Sequence, residues 1–90
     1  MGNCENCPYK INDANMYAAE EKILKMTGIP YSEFKIEDVY IDSKDFVRTI
    51  SVGDPKKQPM VLVHGYGGCG VMFFKILKYL TKYFYVIMID

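Results

Sequence analysis

The chain has 90 residues, with 11 basic and 11 acidic side chains, so its formal net charge is zero at pH 7. A chain of this length forms one domain at most, and zero net charge argues against a nucleic-acid-binding protein, which carries a basic excess. The three cysteines and the lack of a signal peptide argue against a secreted, disulfide-linked domain. No apolar run approaches the roughly 18 residues that span a bilayer, so we predict a cytoplasmic protein.

The chain opens with a polar stretch and a helix. Residues 1–11 are polar and lack periodicity, which predicts a flexible N-terminal arm, and residues 12–90 are predicted to form the folded part. Asn12 or Asp13 can cap a helix that Gly28 and Pro30 end. Its apolar face is predicted from residues at steps of three and four: Met16, Ala19, Ile23 and Met26.

Two stretches rich in β-branched and aromatic residues follow, Phe34–Ile41 and Phe46–Val52. The polar link Asp42–Asp45 between them predicts a β-hairpin. Residues 53–59 contain a glycine and two prolines, which predicts a loop.

The pattern then changes to a strand, a glycine-rich turn, a helix and a second strand. Met60–Val63 is a continuous apolar run, typical of a strand covered on both faces in a parallel sheet. Val71–Lys82 predicts a helix, and Phe84–Ile89 predicts a second buried strand that ends at Asp90. The helix places apolar residues on one side (Phe73, Leu77, Leu80) and lysines on the other (Lys75, Lys78, Lys82). These elements predict an α/β fold with a leading helix, a β-hairpin and a β-α-β unit.

Several aromatic residues lie where this helix meets the last strand, namely Tyr79, Tyr83, Phe84 and Tyr85. A cluster of this kind can form a lipid-facing belt, but at this spacing it is more often core and core rim. We therefore predict core and rim positions for these residues, and a solvated face for the lysines.

The glycine-rich turn has two interpretations. Gly65, Gly67 and Gly70 match the dinucleotide fingerprint G-x-G-x-x-G, and Asp90 follows at the end of the next strand, where an acid binds a ribose hydroxyl. The bulky Phe73–Phe74 pair and the upstream hairpin argue against this interpretation. A dinucleotide-binding β-α-β unit is therefore the alternative function.

The preferred interpretation starts from the order strand, His64, Gly65 and a small-residue turn. Such a turn can aim backbone N–H groups at the oxygen of a tetrahedral intermediate, forming an oxyanion hole. We predict Tyr66 and Gly67 as its donors, with Gly65 and Gly68 shaping the bend and His64 locking the loop as a structural residue.

A wider resemblance rests on four segments: Ala19–Lys25, the hairpin, Val47–Gly53 and Pro59–Gly68. Together they resemble the start of the lipid-acting branch of the α/β hydrolases, over roughly residues 18–90. This branch includes N-acylphosphatidylethanolamine lipases, lysophosphatidate acyltransferase-like proteins and the lipid-droplet lipase coactivator. The resemblance implies the N-terminal half of an α/β-hydrolase sheet, in an incomplete domain that carries strands 1 to 4 and the oxyanion turn. It also implies acyl ester or amide hydrolysis, or acyl transfer, on phospholipids in full-length relatives.

The residues of a serine-hydrolase triad are missing from this chain. None of its three serines (Ser32, Ser43, Ser51) lies in G-x-S-x-G, and its single histidine belongs to the glycine turn. Cys69 lacks a base to activate it and is predicted to be a small turn residue. We therefore expect no triad hydrolase activity from this chain alone, and we expect no cofactor. A non-catalytic membrane-binding or partner-binding protein is the other alternative.

The resemblance also implies the strand order 1-2-4-3, which leaves strand 60–63 at an edge. In relatives the nucleophile strand covers this edge, and an uncovered buried-type strand invites pairing with another chain. We therefore predict self-association through strand 60–63. Lipid or acyl substrates, a membrane surface or a lipid droplet are the partners implied for full-length relatives.

The N-terminal arm contains candidate lipidation sites. Met1-Gly2-Asn3-Cys4 resembles a myristoylation start at Gly2, although Asn6 stands where serine or threonine is expected. Cys4 and Cys7 can supply the second acyl group that stable membrane attachment needs. Their C-x-x-C spacing lacks the further ligands of a zinc site and the helix start of a redox motif, so we predict no metal. Peripheral membrane attachment through these residues is the predicted addition to a cytoplasmic location.

Overall fold

A computed structural model of the chain describes residues 13–90. Helix α1 spans Asp13–Leu24 and continues as a 3-10 turn over Lys25–Thr27, which Gly28 ends with φ of +82°. The Thr27 hydroxyl donates to Leu24 O (2.6 Å) and accepts from the Ile29 N–H (3.2 Å). These bonds satisfy backbone groups that a helix end otherwise leaves open, so the predicted helix and its stop at Gly28 are confirmed.

The buried face of α1 differs from the predicted face. Leu24 is fully buried and Ile23 half-buried, whereas Met16, Ala19 and Met26 are exposed. The helix packs through Ile23 and Leu24, followed by buried Thr27 in the 3-10 turn. This turns Met26 to solvent, so periodicity located the helix but placed its core face wrongly.

The predicted hairpin is confirmed. Strands β1 (Lys35–Tyr40) and β2 (Phe46–Val52) pair antiparallel, with Tyr40 opposite Phe46 at the turn. Asp42 Oδ1 accepts hydrogen bonds from the N–H groups of Lys44 (2.8 Å) and Asp45 (2.6 Å). These backbone N–H groups hold the pKa of the Asp42 carboxyl below its usual range, the Asp45 bond being the stronger cause.

Strand β3 spans Gln58–Val63 and strand β4 spans Phe84–Ile89, and the two pair in parallel. The helix predicted between them is short and irregular. A 3-10 turn covers Gly70–Phe73, and helix α2 covers only Leu77–Leu80. Successive i→i−3 and i→i−4 bonds still join the two, including Ile76 N–H to Phe73 O (3.1 Å) and Leu80 N–H to Ile76 O (3.1 Å).

The irregularity of this segment has a local cause. Its start carries two phenylalanines and a β-branched residue, all weaker helix formers than leucine or lysine, and Cys69 makes no side-chain cap bond. The predicted sidedness holds. Val71 and Leu77 are buried and Phe73 and Leu80 half-buried, while the lysines are exposed.

The strands form one four-stranded mixed sheet in the order β1-β2-β4-β3. With α1 and α2, this is a small α/β fold, as predicted from the order of elements. The implied strand order 1-2-4-3 is therefore present, and β3 lies at an edge of the sheet.

One face of the sheet carries the core. Ile50, Val52, Val86 and Met88 are buried against Leu24, Leu77 and Val71 of the helical segments. The opposite face pairs Val61 with Ile87 and Val63 with Ile89, and both valines are exposed. The prediction that strand 60–63 is covered on both faces is wrong, because both helical segments of residues 13–90 contribute their buried side chains to the same core.

Candidate functional site

The glycine turn leaves the C-terminal end of β3 as a tight reverse turn from Gly65 to Gly68. The Gly68 N–H donates to Gly65 O at 3.0 Å. Gly67 has φ of +76° and Tyr66 has negative φ, which are the signs of a type II turn. The positive φ at Gly67 favours glycine over residues with a β-carbon, so the glycine there has a geometric reason.

His64 supports this turn from the side. Its Nδ1 lies 2.8 Å from Gly65 O, the same carbonyl that accepts from Gly68. A carbonyl only accepts, so Nδ1 carries the proton and His64 donates this bond. This hydrogen bond fixes the ring against the turn, as is expected of a structural residue.

Two N–H groups of the turn, those of Tyr66 and Gly67, are unpaired within the described residues. Among residues 13–90, no backbone or side-chain acceptor takes the N–H of Tyr66 or Gly67. Tyr66 is fully exposed, and a β-carbon built on Gly67 or Gly65 would meet nothing within 4 Å. Both N–H groups are therefore accessible to an external acceptor such as an oxyanion.

Asp90 anchors the far end of the turn. Its Oδ1 accepts the Gly70 N–H at 2.6 Å, and its own N–H donates to Arg48 O at 3.1 Å. A β-carbon on Gly70 would lie 3.0 Å from this carboxylate oxygen and 3.3 Å from Met88 Cβ. Gly70 therefore allows the chain after the turn to pack closely on the end of β4.

The same bond bears on the dinucleotide interpretation. The Asp90 carboxylate holds Gly70 rather than reaching away from the strand, and the segment that begins at Gly70 is a four-residue 3-10 turn. A pyrophosphate site uses the N–H groups and dipole of an α-helix N-terminus at this position. The geometry of Gly70 and Asp90 therefore differs from that of a pyrophosphate site.

A pocket of about 200 Å³ lies between α1 and the end of β4. The exposed free thiol of Cys69 and the Asp90 carboxylate stand at its wall. Its remaining lining comes from α1 and from the residues that face it: Met16, Tyr17, Ala19, Glu20, Ile23, Arg48 and Val71. Met16 and Ala19, predicted as core, therefore line an open pocket.

An ion-pair cluster at this pocket was not predicted from the sequence. Arg48 Nη2 and Nε donate to the two carboxylate oxygens of Glu20, at 2.7 and 2.9 Å, and Nη1 donates to Asp38 at 3.2 Å. The guanidinium lies 3.9 Å from the ring centroid of Tyr17. The hydrogen bonds that Arg48 donates to Glu20 are the main reason that the pKa of Arg48 is raised above its ordinary value. A sequence signal existed, because Arg48 precedes Ile50 and Val52 at strand spacing and so lies on the core face.

Within the described residues, none of the three serines pairs with the histidine of the glycine turn. Ser32 and Ser43 are exposed, Ser51 is buried in β2, and within residues 13–90 none of them hydrogen-bonds to His64. The lipidation candidates Gly2, Cys4 and Cys7 lie outside the described residues and stay predictions. No group of acidic, histidine and cysteine side chains in the described part could hold a metal ion. No helix in residues 13–90 is long and apolar enough to cross a membrane.

Comparisons with known proteins bear on the fold. No protein-family model matches the chain, and no curated protein matches its sequence. Among solved structures, the crystal structure of an aCif variant matches with a TM-score of 0.54 at 19% sequence identity. The match covers 98% of this chain but 28% of that one, so the chain spans about a quarter of its neighbour's length. At this identity the likeness shows a shared fold alone.

Proposed function

We propose that this chain forms the oxyanion-stabilising, N-terminal part of an α/β hydrolase that acts on the acyl groups of lipids. The observation that carries the proposal is the turn Gly65–Gly68, whose Tyr66 and Gly67 N–H groups lie open at the end of β3. Such donors stabilise the negative oxygen of the tetrahedral intermediate in ester or amide hydrolysis and in acyl transfer. The sheet order and the resemblance of residues 18–90 support this assignment.

The chemistry assigned to the described residues is limited to one half of an active site. His64 donates from Nδ1 to Gly65, and no serine of residues 13–90 hydrogen-bonds to it. We therefore assign the nucleophile, the general base and the acid to parts of the enzyme outside these residues. The acyl carbon would lie beside Tyr66, with its oxygen accepting from the turn.

Substitution by proline tests the donor directly. Proline is favoured at the second position of a type II turn, so Tyr66→Pro keeps the turn while removing the N–H. In a lipid-acting α/β hydrolase whose own oxyanion turn is replaced by residues 64–70, we expect Tyr66→Pro to lower kcat about 10²–10³-fold with KM nearly unchanged. Turnover of a p-nitrophenyl acyl ester measures both constants.

The matched control is Tyr66→Ala, which removes the exposed ring but keeps the N–H. It should retain most of the rate of the grafted enzyme. The 90-residue chain itself should give no turnover. A Tyr66→Pro variant that works as fast as Tyr66→Ala would show that this N–H is not the donor.

The proposal includes self-association of the isolated chain through β3. This strand lies at the sheet edge, and its exposed Val61 and Val63 continue the uncovered apolar face. We expect sedimentation velocity at about 50 μM to show dimers or larger species. Val61→Lys should yield monomers, because a charged residue on an edge strand blocks pairing.

The control for this test is Val39→Lys, which changes an exposed valine of β1, at the other edge. It should leave association unchanged. A wild-type chain that sediments as a monomer, or equal loss in both variants, would contradict pairing through β3.

A further inference from the structure

A row of large apolar side chains faces solvent along the segment that links the glycine turn to β4. Met72, Ile76, Tyr79 and Tyr83 are 53%, 45%, 67% and 71% exposed. They recur at steps of four, three and four residues, and all four are exposed while Val71 and Leu77 of the same segment are buried. Tyr79 and Tyr83, predicted as core or rim, are therefore surface residues, and Phe84 and Tyr85 are half-buried.

Three lysines alternate with this row along the sequence of the segment. Lys75, Lys78 and Lys82 are exposed, and the segment from Val71 to Tyr83 contains no acidic residue. Lys82 Nζ lies 5.7 Å from the ring centroid of Tyr79. In a chain with no net charge, three lysines and no acidic residue within this one segment are a local excess of positive charge. We call the four apolar residues and three lysines the tyrosine–lysine surface.

Lys57 extends the positive charge at one end of this surface. Its Nζ donates to Lys82 O at 2.8 Å. At the other end, the surface reaches the glycine turn. Met72 packs over Gly68, since a β-carbon on that glycine would lie 2.8 Å from the Met72 sulfur. The surface therefore runs from the turn to the start of β4.

We propose that the tyrosine–lysine surface binds the face of an anionic phospholipid bilayer. Tyrosine is enriched at membrane–water interfaces, where its ring enters the headgroup region and its hydroxyl stays hydrated. Lysines beside the rings pair with anionic headgroups, and Met72 and Ile76 supply apolar contact. Charge complementarity selects this occupant: a row without acidic residues and with three lysines matches a negative surface.

This binding adds a second membrane contact to the predicted N-terminal acylation and does not depend on the oxyanion role of the turn. It would also place the turn at headgroup depth, because Met72 joins the two. Acyl esters of phospholipids lie at that depth. By binding phospholipid, the tyrosine–lysine surface would bring the lipid substrate of the proposed function to the turn. This binding takes no part in the acyl chemistry.

Vesicle binding of the full chain tests the proposal. Protein made in bacteria, which lack N-myristoyltransferase, separates this surface from acylation. We expect it to sediment with phosphatidylcholine vesicles containing about 30% phosphatidylserine and to bind phosphatidylcholine vesicles far less, since each lysine near an anionic surface contributes roughly fivefold. The triple variant Lys75→Glu, Lys78→Glu, Lys82→Glu should bind at least about a hundredfold less. Tyr79→Ser with Tyr83→Ser should lose about tenfold, through lost apolar contact.

The matched control reverses the charge of three exposed lysines outside this surface, through Lys22→Glu, Lys44→Glu and Lys56→Glu. It changes the net charge of the chain by the same amount. It should keep at least half of the phosphatidylserine-dependent binding. Far-ultraviolet circular dichroism checks that every variant folds. No binding by the folded wild-type chain, or equal losses in the two triple variants, would overturn the proposal.

Discussion

Replacing Leu24 by alanine is expected to lower the free energy of unfolding by about 2–5 kcal/mol, the cost of deleting a fully buried leucine and leaving a cavity. Leu24 is the residue through which α1 enters the core, and it is completely buried. The total stability of such a domain is about 5–15 kcal/mol, so this loss is a large fraction of it. Urea unfolding followed by circular dichroism measures the change, since the chain lacks tryptophan.

The control, Met26→Ala, decides which face of α1 is buried. Met26 is 67% exposed, and its truncation should change stability by about 0.5 kcal/mol or less. The sequence pattern predicts the opposite ranking, with Met26 in the core. A larger loss from Met26→Ala than from Leu24→Ala would show that α1 is rotated from the described packing.

Removal of the Arg48 side chain is the second change expected to have a large effect. Arg48→Met should cost about 3 kcal/mol, because it leaves the carboxylate of Glu20 without its two charge-assisted bonds in a largely buried position. The cluster joins α1 to the β1–β2 hairpin, so hydrogen exchange should rise in α1 and β1 together. Urea unfolding and amide exchange by NMR measure the two effects.

A compensating variant separates charge from packing in this cluster. Arg48→Met combined with Glu20→Leu should recover most of the loss, since apolar pairs of similar volume replace buried ion pairs without penalty. Asp38 is about a third exposed and can be hydrated when its partner is removed. A double variant that is as unstable as Arg48→Met alone would mean that Arg48 acts through its contact with Tyr17 instead.

The elements that depend on local chemistry were predictable from the sequence. The hairpin follows from its turn, where Asp42 bonds two backbone N–H groups, and the end of α1 follows from Gly28. The glycine turn was located by its sequence, and its backbone then shows why Gly67 is needed there.

Features set by packing across the chain were not predictable in the same way. The buried face of α1 depends on which side meets the sheet, and a period of three and four admits neighbouring faces. The apolar run Met60–Val63 in β3 predicts a strand covered on both faces. In residues 13–90 only one of its faces meets a helix. The Glu20–Arg48 contact joins residues 28 positions apart, which no local pattern encodes.

The proposals for the turn and for the tyrosine–lysine surface concern adjoining parts of the molecule. The turn offers donors to a developing oxyanion, and Met72 links it to the surface that we assign to anionic phospholipid. Each is tested by a different measurement, turnover in one case and vesicle binding in the other. A result that contradicts one proposal would not contradict the other.

The position of β4 has a consequence for how the chain is made. β4 is the last strand in sequence, but it lies between β2 and β3 in the sheet. The hairpin can therefore close as soon as residues 35–52 leave the ribosome, whereas β3 has no strand to pair with until Phe84–Ile89 follow. At ordinary rates of translation, residues 64–83 take roughly 1–4 s to add. Until Phe84–Ile89 has followed, the apolar segment Met60–Val63 has no partner strand within residues 13–90.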